Sequence, residues 1–336
     1  MCPRQCGADR RVGSDGGFQR GFCGESEIAY LAWSGLHKGE EPPVSGENGS
    51  GMFFFRGCSL GCPTCQNRQI SSSLRPMFAA SGGMGNVTCL EADVETLCEL
   101  AWDLRGMGAH SISFVTAEHF TPLVVKVCRR LRQSGFDLPF VHNTSGWISA
   151  DAIDELIPYI DIWLWDCKTH DAAVAAEFFG SSGYADAERE SFTHLIEKAS
   201  AFYLPSGFKP EIIVRHLMVP DHVDSTIGVI RDFAPYKDRC MFSLMTQYMD
   251  VGDVSGDADG SGLSSDSHSG VSAKDIRRAK RAMSTFGIER GWIQDKCDNE
   301  RVWMPDFSRE NPFPEAFAVA SPFFLRRIRN ICQMKK

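Results

Sequence analysis

From Met52 onward, short apolar runs alternate with longer amphipathic stretches, and this alternation limits the possible folds more than any other feature of the chain. A strand covered on both faces reads as an unbroken apolar run, and parallel strands need a crossover between them, usually a helix. The runs are "GMFFFRG" (51–57), "HSISFVTA" (110–117), "LPFVHNT" (138–144), "IDIWLWD" (160–166), "EIIVRHLMV" (211–219) and "RCMFSLMT" (239–246). Helices are expected near 91–107, 121–134, 149–157, 188–203 and 223–233, several opened by Thr, Ser or Asp as N-caps. The prediction is an α/β fold, a partial (β/α)6 TIM-type barrel; a complete barrel would need two more strands.

The barrel is assigned to 51–249. Residues 1–50, rich in Gly, Pro and short polar side chains, are expected to form an irregular, cysteine-containing N-terminal lobe. The segment 250–270, "DVGDVSGDADGSGLSSDSHSG", has almost nothing to bury and reads as a disordered insertion. A calcium loop is the sharper alternative, but the terminal Glu of that pattern is missing. Residues 271–336 are expected to be a helical or irregular segment packing on the barrel. A formal charge of −8 over 336 residues argues against a nucleic-acid or membrane-surface binder. No run of 18 apolar residues occurs and no signal-peptide pattern opens the chain, so the expected location is the cytoplasm.

In parallel β/α folds the site forms where the strands end. Here those ends are polar: Arg56, "TAEHF", "HNTSG", "DCKTH", "VRHLMVPDH" and "MTQY". The first strand runs directly into "RGCSLGCPTCQNRQIS", which places Cys58, Cys62 and Cys65 in a C-x3-C-x2-C spacing with Gly57 and Gly61 easing the turn. A structural zinc site is normally closed by four ligands, whereas this group offers three thiols and no nearby His. Close-spaced thiolates hold iron-sulfur clusters, and three of them on a four-iron cluster leave one iron free for chemistry.

These residues resemble the radical S-adenosylmethionine superfamily, and within it the subgroup similar to pyruvate formate-lyase activating enzyme. The likeness extends to "CPRQCG", "GFCG", "HKGEEPPVSGENGSGMFFFRGCSLGCPTCQNRQIS", "HNTSG" and "IVRHLMVP", through nearly the whole chain outside 250–270. It implies a [4Fe-4S] cluster on Cys58, Cys62 and Cys65 whose free iron binds the amine and carboxylate of S-adenosylmethionine. An electron from a carrier such as flavodoxin or ferredoxin would cleave the cofactor to a 5'-deoxyadenosyl radical that abstracts hydrogen. The substrate would be a glycine of a glycyl-radical enzyme, a small molecule or another protein. Lys168 and Arg215 would be catalytic; Asn67, Glu118, Asn143, Thr144, Asp166 and His216 would bind the cofactor. Strand alternation puts Arg215 and His216 on opposite faces, so at most one points inward. Asp166 and Lys168 read alternatively as a structural ion pair, and the whole chain as a non-catalytic iron-sulfur or zinc protein.

Two departures from the subgroup stand out. Thr64 occupies the place of an aromatic residue before the third cysteine, and "VTAEHF" replaces a glycine-rich turn, a backbone path that non-glycine residues follow only at a cost. Cys2, Cys6 and Cys23 match the subgroup's "CPxxC" and "GFCG" pattern, in which a further cysteine commonly comes first; a fourth ligand would then come either from a start upstream of Met1 or from a distant cysteine. They suit a second metal site, iron-sulfur or zinc, because a poorly cored lobe gains from a metal staple; the alternative is three reduced thiols. Cys89, Cys98, Cys128, Cys167, Cys240, Cys297 and Cys332 lie singly and read as small core residues. His37, Glu40 and Glu41 are weighed as acid-base groups against an ordinary loop.

Overall fold

In the computed structural model, which describes residues 2–13, 17–19, 21–71, 87–249, 270–294 and 304–334, ten strands form one sheet among the described residues. They are β1 (Tyr30–His37), β2 (Ser50–Phe55), β3 (Leu90–Glu91), β4 (Ile112–Val115), β5 (Phe140–Thr144), β6 (Ile162–Asp166), β7 (Glu211–Leu217), β8 (Met241–Met245), β9 (Gly291–Gln294) and β10 (Ala318–Ala320). The strand order is β10-β1-β2-β4-β5-β6-β7-β8-β9, with β3 also pairing β1. Neighbours from β2 to β9 run parallel, while β1 is antiparallel to β2, β3 and β10. The barrel is open, because no described pairing joins β9 to β10.

All six anticipated strands form, and the crossovers between the parallel ones contain helices such as Val94–Gly106, Thr121–Gln133 and Tyr184–Ala201. Asp93, Ser149 and Asp171 accept backbone N–H bonds at the starts of three helices, the capping that the sequence pattern implies. Trp163, Trp165, Ile212, Val214 and Phe242 belong to the large core outside the barrel, beneath the helices. Their neighbours Val141, Ile162, Leu164 and Ile213 form a separate inner core. That inner core closes on Val44, from the short helix Pro42–Ser45.

The stretch expected to be an irregular lobe therefore includes a strand and a helix. "YLAWSGLH" forms β1, buried on both faces along nearly its whole length, and its mixed polarity hides it from a search for alternation. The following segment enters the lower end of the barrel, where Ser111 Oγ donates to the Val44 carbonyl at 2.7 Å. The final third also contributes more than helices. The helix Ala273–Thr285 leads into β9, a further parallel strand, and β10 pairs with β1. "GWIQ" and "AVA" are too short to carry a period. The insertion at 250–270, with its calcium alternative, lies outside the described residues except for Gly270, and Cys297 lies outside them as well. Among the described residues no helix is long and apolar enough to cross a membrane.

Candidate active site

At the carboxyl ends of the parallel strands lies a cavity of about 250 Å³. Its wall includes Cys58, Cys62, Cys65 and Asn67 from the loop after β2, then Asn143, Asp166, Lys168 and Arg215 from successive strand ends. Gly57 and Gly61 take φ of 84° and 68°, the left-handed turns that fold the cysteine loop back on itself. A Cβ on Gly57 would stand 2.4 Å from Glu25 Cγ and 2.8 Å from the Cys23 carbonyl oxygen, so the N-terminal lobe packs directly on this turn. Arg4 strengthens the contact by donating to the Ser59 and Leu60 carbonyls, each at 2.8 Å. Glu25 accepts two bonds from Arg56 Nε at 2.9 and 3.1 Å and one from Nη2 at 2.9 Å.

The thiols fit a polynuclear iron-sulfur cluster better than a single ion. Ligands about 2.3 Å from one tetrahedral ion lie roughly 4 Å apart. Among the described residues only Cys167, His170 and Glu188 bring three ligand atoms within 4.8 Å of one another, so Cys58, Cys62 and Cys65 are spread more widely. A cluster that places each thiolate on a different iron suits that spread. Burial, and then the neighbouring Cys62 and Cys65 thiols, push the Cys58 thiol well above its ordinary range. The Leu60 N–H donates to Cys58 Sγ at 3.4 Å.

Arg215 organises the polar part of the wall. Its Nε donates to Asp166 Oδ1, Nη1 to Glu40 Oε2 and Nη2 to Asn143 Oδ1, each at 2.7 Å. Lys168 Nζ donates to the other oxygen of Asp166 at 3.2 Å. Burial alone would raise Asp166, yet Arg215 and Lys168 hold it below the ordinary carboxylate range. Burial opposes the Lys168 charge, but Asp166 and the nearby thiols hold its ammonium above its ordinary value. Glu40 and Glu41 shift upward because burial outweighs the attraction of Arg215. The arrangement presents fixed donors and acceptors and three sulfur ligands in the wall of one cavity.

Other anticipated residues stand behind this wall. Glu118 is fully buried, and its Oε1 accepts from Thr144 Oγ1 at 2.6 Å and from the Ser145 N–H at 3.0 Å. Thr144 and Glu118 thereby brace the turn that carries Ser145 into the cavity wall. His216 points to the helices: Nδ1 lies 2.8 Å from the Cys167 carbonyl and Nε2 3.0 Å from Thr226 Oγ1, so of the pair Arg215 and His216 it is Arg215 that faces inward. The glycine-free turn does follow a left-handed path, with Thr116 at φ 51°, its N–H bonded to the Asn143 carbonyl at 2.8 Å. Thr64 Oγ1 donates to the Phe178 carbonyl at 2.8 Å, and the adjacent Phe179 places an aromatic ring in the wall.

Sequence reasoning underrated His37, Glu40 and Glu41, which all line the cavity, named Gln247 only within the strand end "MTQY", and overlooked Gln294 and Phe313. Glu40 meets Arg215 across 175 residues, a pairing with no local signal. Gln247 Nε2 donates to Gln294 Oε1 at 2.6 Å, which places the end of β9 at the site. Cys2, Cys6 and Cys23 line a separate groove of about 770 Å³ between the N-terminal lobe and the helix Val94–Gly106. Backbone N–H groups of Ala8 and Phe22 lower the Cys6 thiol. Of the single cysteines, Cys128, Cys167 and Cys240 are buried as expected, Cys89 and Cys98 are half-buried, and Cys332 is exposed on the last helix.

No family model matches the chain. It is 24% identical over 249 residues to the uncharacterized protein MJ0674 of Methanocaldococcus jannaschii, covering 74% of this chain and 65% of that protein, just under two thirds of its length. A domain of pyruvate-formate lyase-activating enzyme from Bacteroides vulgatus is similar over 56% of this chain and 100% of its own, with 13% identity and a TM-score of 0.37. Streptococcus suis SuiB, solved with S-adenosylmethionine, is similar over 72% of this chain and 45% of its own, with 10% identity and a TM-score of 0.43. A probable 2-pyrone-4,6-dicarboxylic acid hydrolase from Acinetobacter baumannii is similar over 72% and 83%, with 8% identity and a TM-score of 0.28. Likenesses this distant leave the functional argument to the residues of the site.

Proposed function

We propose that the protein is a radical S-adenosylmethionine enzyme that holds a [4Fe-4S] cluster on Cys58, Cys62 and Cys65. The observation that carries this reading is the meeting, in one cavity, of an incomplete thiol set with Asn143, Asp166, Lys168 and Arg215. When bound, the cluster supplies the electron that cleaves S-adenosylmethionine to methionine and a hydrogen-abstracting 5'-deoxyadenosyl radical. The chain's own task is to orient and enclose. Lys168, close to Asp166 and within the field of Cys62 and Cys65, suits a carboxylate bound beside the cluster. Asn143 and Asp166, immobilised by Arg215, offer acceptors to hydroxyl and amine groups. Glu118, set behind the Ser145 turn, acts through that turn.

Electrons would come from a reducing carrier of the flavodoxin or ferredoxin type. Cys2, Cys6 and Cys23, gathered at one groove, suit a second metal site in the lobe that backs the cluster loop. The substrate would be a glycine-bearing segment of a partner enzyme or a small molecule entering past Phe313 and Gln247. Anaerobic reconstitution followed by electron paramagnetic resonance and an assay for 5'-deoxyadenosine tests the proposal. Wild type should form the nucleoside under strong reductant, and Cys62→Ala should lose both cluster signal and product. An intact cluster without cleavage would sink the enzyme reading, and cleavage retained by Cys62→Ala would show that other thiols hold the cluster.

A further inference from the structure

Directly behind the wall of the thiol-lined cavity, to which Cys167 itself contributes, a second set of ligand-type side chains converges. Cys167 follows β6 directly, His170 lies three residues further on, and Glu188 projects from the helix Tyr184–Ala201. One ligand atom from each lies within 4.8 Å of the other two. His170 Nε2 is 2.8 Å from Glu188 Oε2 and 3.3 Å from Cys167 Sγ. Both Cys167 and Glu188 have no solvent exposure. We propose that these three residues bind one divalent ion, zinc by preference, in a site that ties the end of β6 to the surrounding helices. The inference is independent of the radical chemistry.

The donor set is the first argument, since thiolate, imidazole and carboxylate together match a borderline-soft ion with no geometric demand of its own. The surroundings are the second. His170 Nδ1 lies 2.8 Å from Asp232 Oδ2, and Trp165 Nε1 donates to Glu188 Oε1 at 2.7 Å, leaving Oε2 for the ion. A carboxylate behind the histidine and a donor behind the ligand carboxylate are what orient metal ligands. A fourth ligand would be water, arriving beside Asp232, whose side chain is 25% exposed.

A Cys-His-Asp nucleophile would use the same three-residue spacing, but Glu188 lies closer to His170 Nε2 than the thiol does, and the buried sulfur has no approach for a substrate. Asp166 and Lys168 flank Cys167, so an ion here would also steady the cavity wall. Full-length, anaerobically reconstituted protein should carry about one zinc per chain at this site alongside its iron, measured by mass spectrometry of the metals. That equivalent should vanish in Cys167→Ser and His170→Gln but persist in Cys62→Ala and in a triple Ser variant of Cys2, Cys6 and Cys23. Folded Cys167→Ser and His170→Gln proteins with wild-type zinc would overturn the proposal. Because His170→Gln is at risk of misfolding, cobalt added to chelated wild type provides a second reading. A thiolate-to-cobalt absorption band lost in Cys167→Ser supports the site, and a band that is absent from wild type or unchanged in that variant overturns it.

Discussion

Thr116 shows how a single residue records the demands of the site. A β-branched side chain at φ 51° carries backbone strain of about 1–2 kcal/mol, held in place here by the bond from its N–H to Asn143. Glycine would relieve that strain while adding roughly 0.5–1 kcal/mol of unfolded-state entropy. Thr116→Gly should therefore leave stability unchanged or raise it by up to about 1 kcal/mol in urea denaturation. A clear loss would mean that the side chain itself is needed. His142 teaches a related lesson. It sits in the string "HNTSG", yet it faces the helices beside Trp163 with both ring nitrogens buried and, among the described residues, without hydrogen-bond partners. Its neighbour Asn143, one residue along, lines the cavity.

Among elements, the segment from His37 to Ser45 has the largest role for its length. It fills the lower barrel with Val44, lines the cavity with His37 and Glu41, and brings Glu40 to Arg215. Val44→Ala should cost about 2 kcal/mol, because the inner core has little freedom to collapse around the lost methyl groups. Glu40→Gln should cost on the order of 2 kcal/mol by weakening a buried charged bond, although Arg215 keeps Asp166 and Asn143. The two changes share a short segment, so the double variant should lose less than the sum, as a denaturant double-mutant cycle would report. Strict additivity would show that Val44 and Glu40 are held independently.

The whole molecule carries a pH dependence set by burial. Burial lowers His37, His119 and His216 to about 4 and His142 to about 3, from an ordinary 6.5. Between those values the unfolded chain binds more protons than the folded one, so these groups make stability fall as pH drops below about 6.5. Buried Glu40, Glu41 and Glu118, shifted upward, act in the opposite sense. Comparing His142→Leu with wild type isolates one contribution: the variant should gain about 2 kcal/mol relative to wild type between pH 7.5 and pH 5, from urea midpoints. An unchanged difference would place the His142 titration in the ordinary range. On the same scale, the alternation of apolar runs was enough to determine the six central parallel strands. The thiol spacing after the first of those runs was enough to gather Cys58, Cys62 and Cys65 at one site, because both signals are local in the chain. Tertiary structure alone decided that β1, β9 and β10 complete the sheet, that Glu40 is the partner of Arg215, and that Arg215 faces inward while His216 faces outward. Those outcomes depend on which distant segments share a buried volume, and paired charges or short edge strands leave no periodic trace in the sequence.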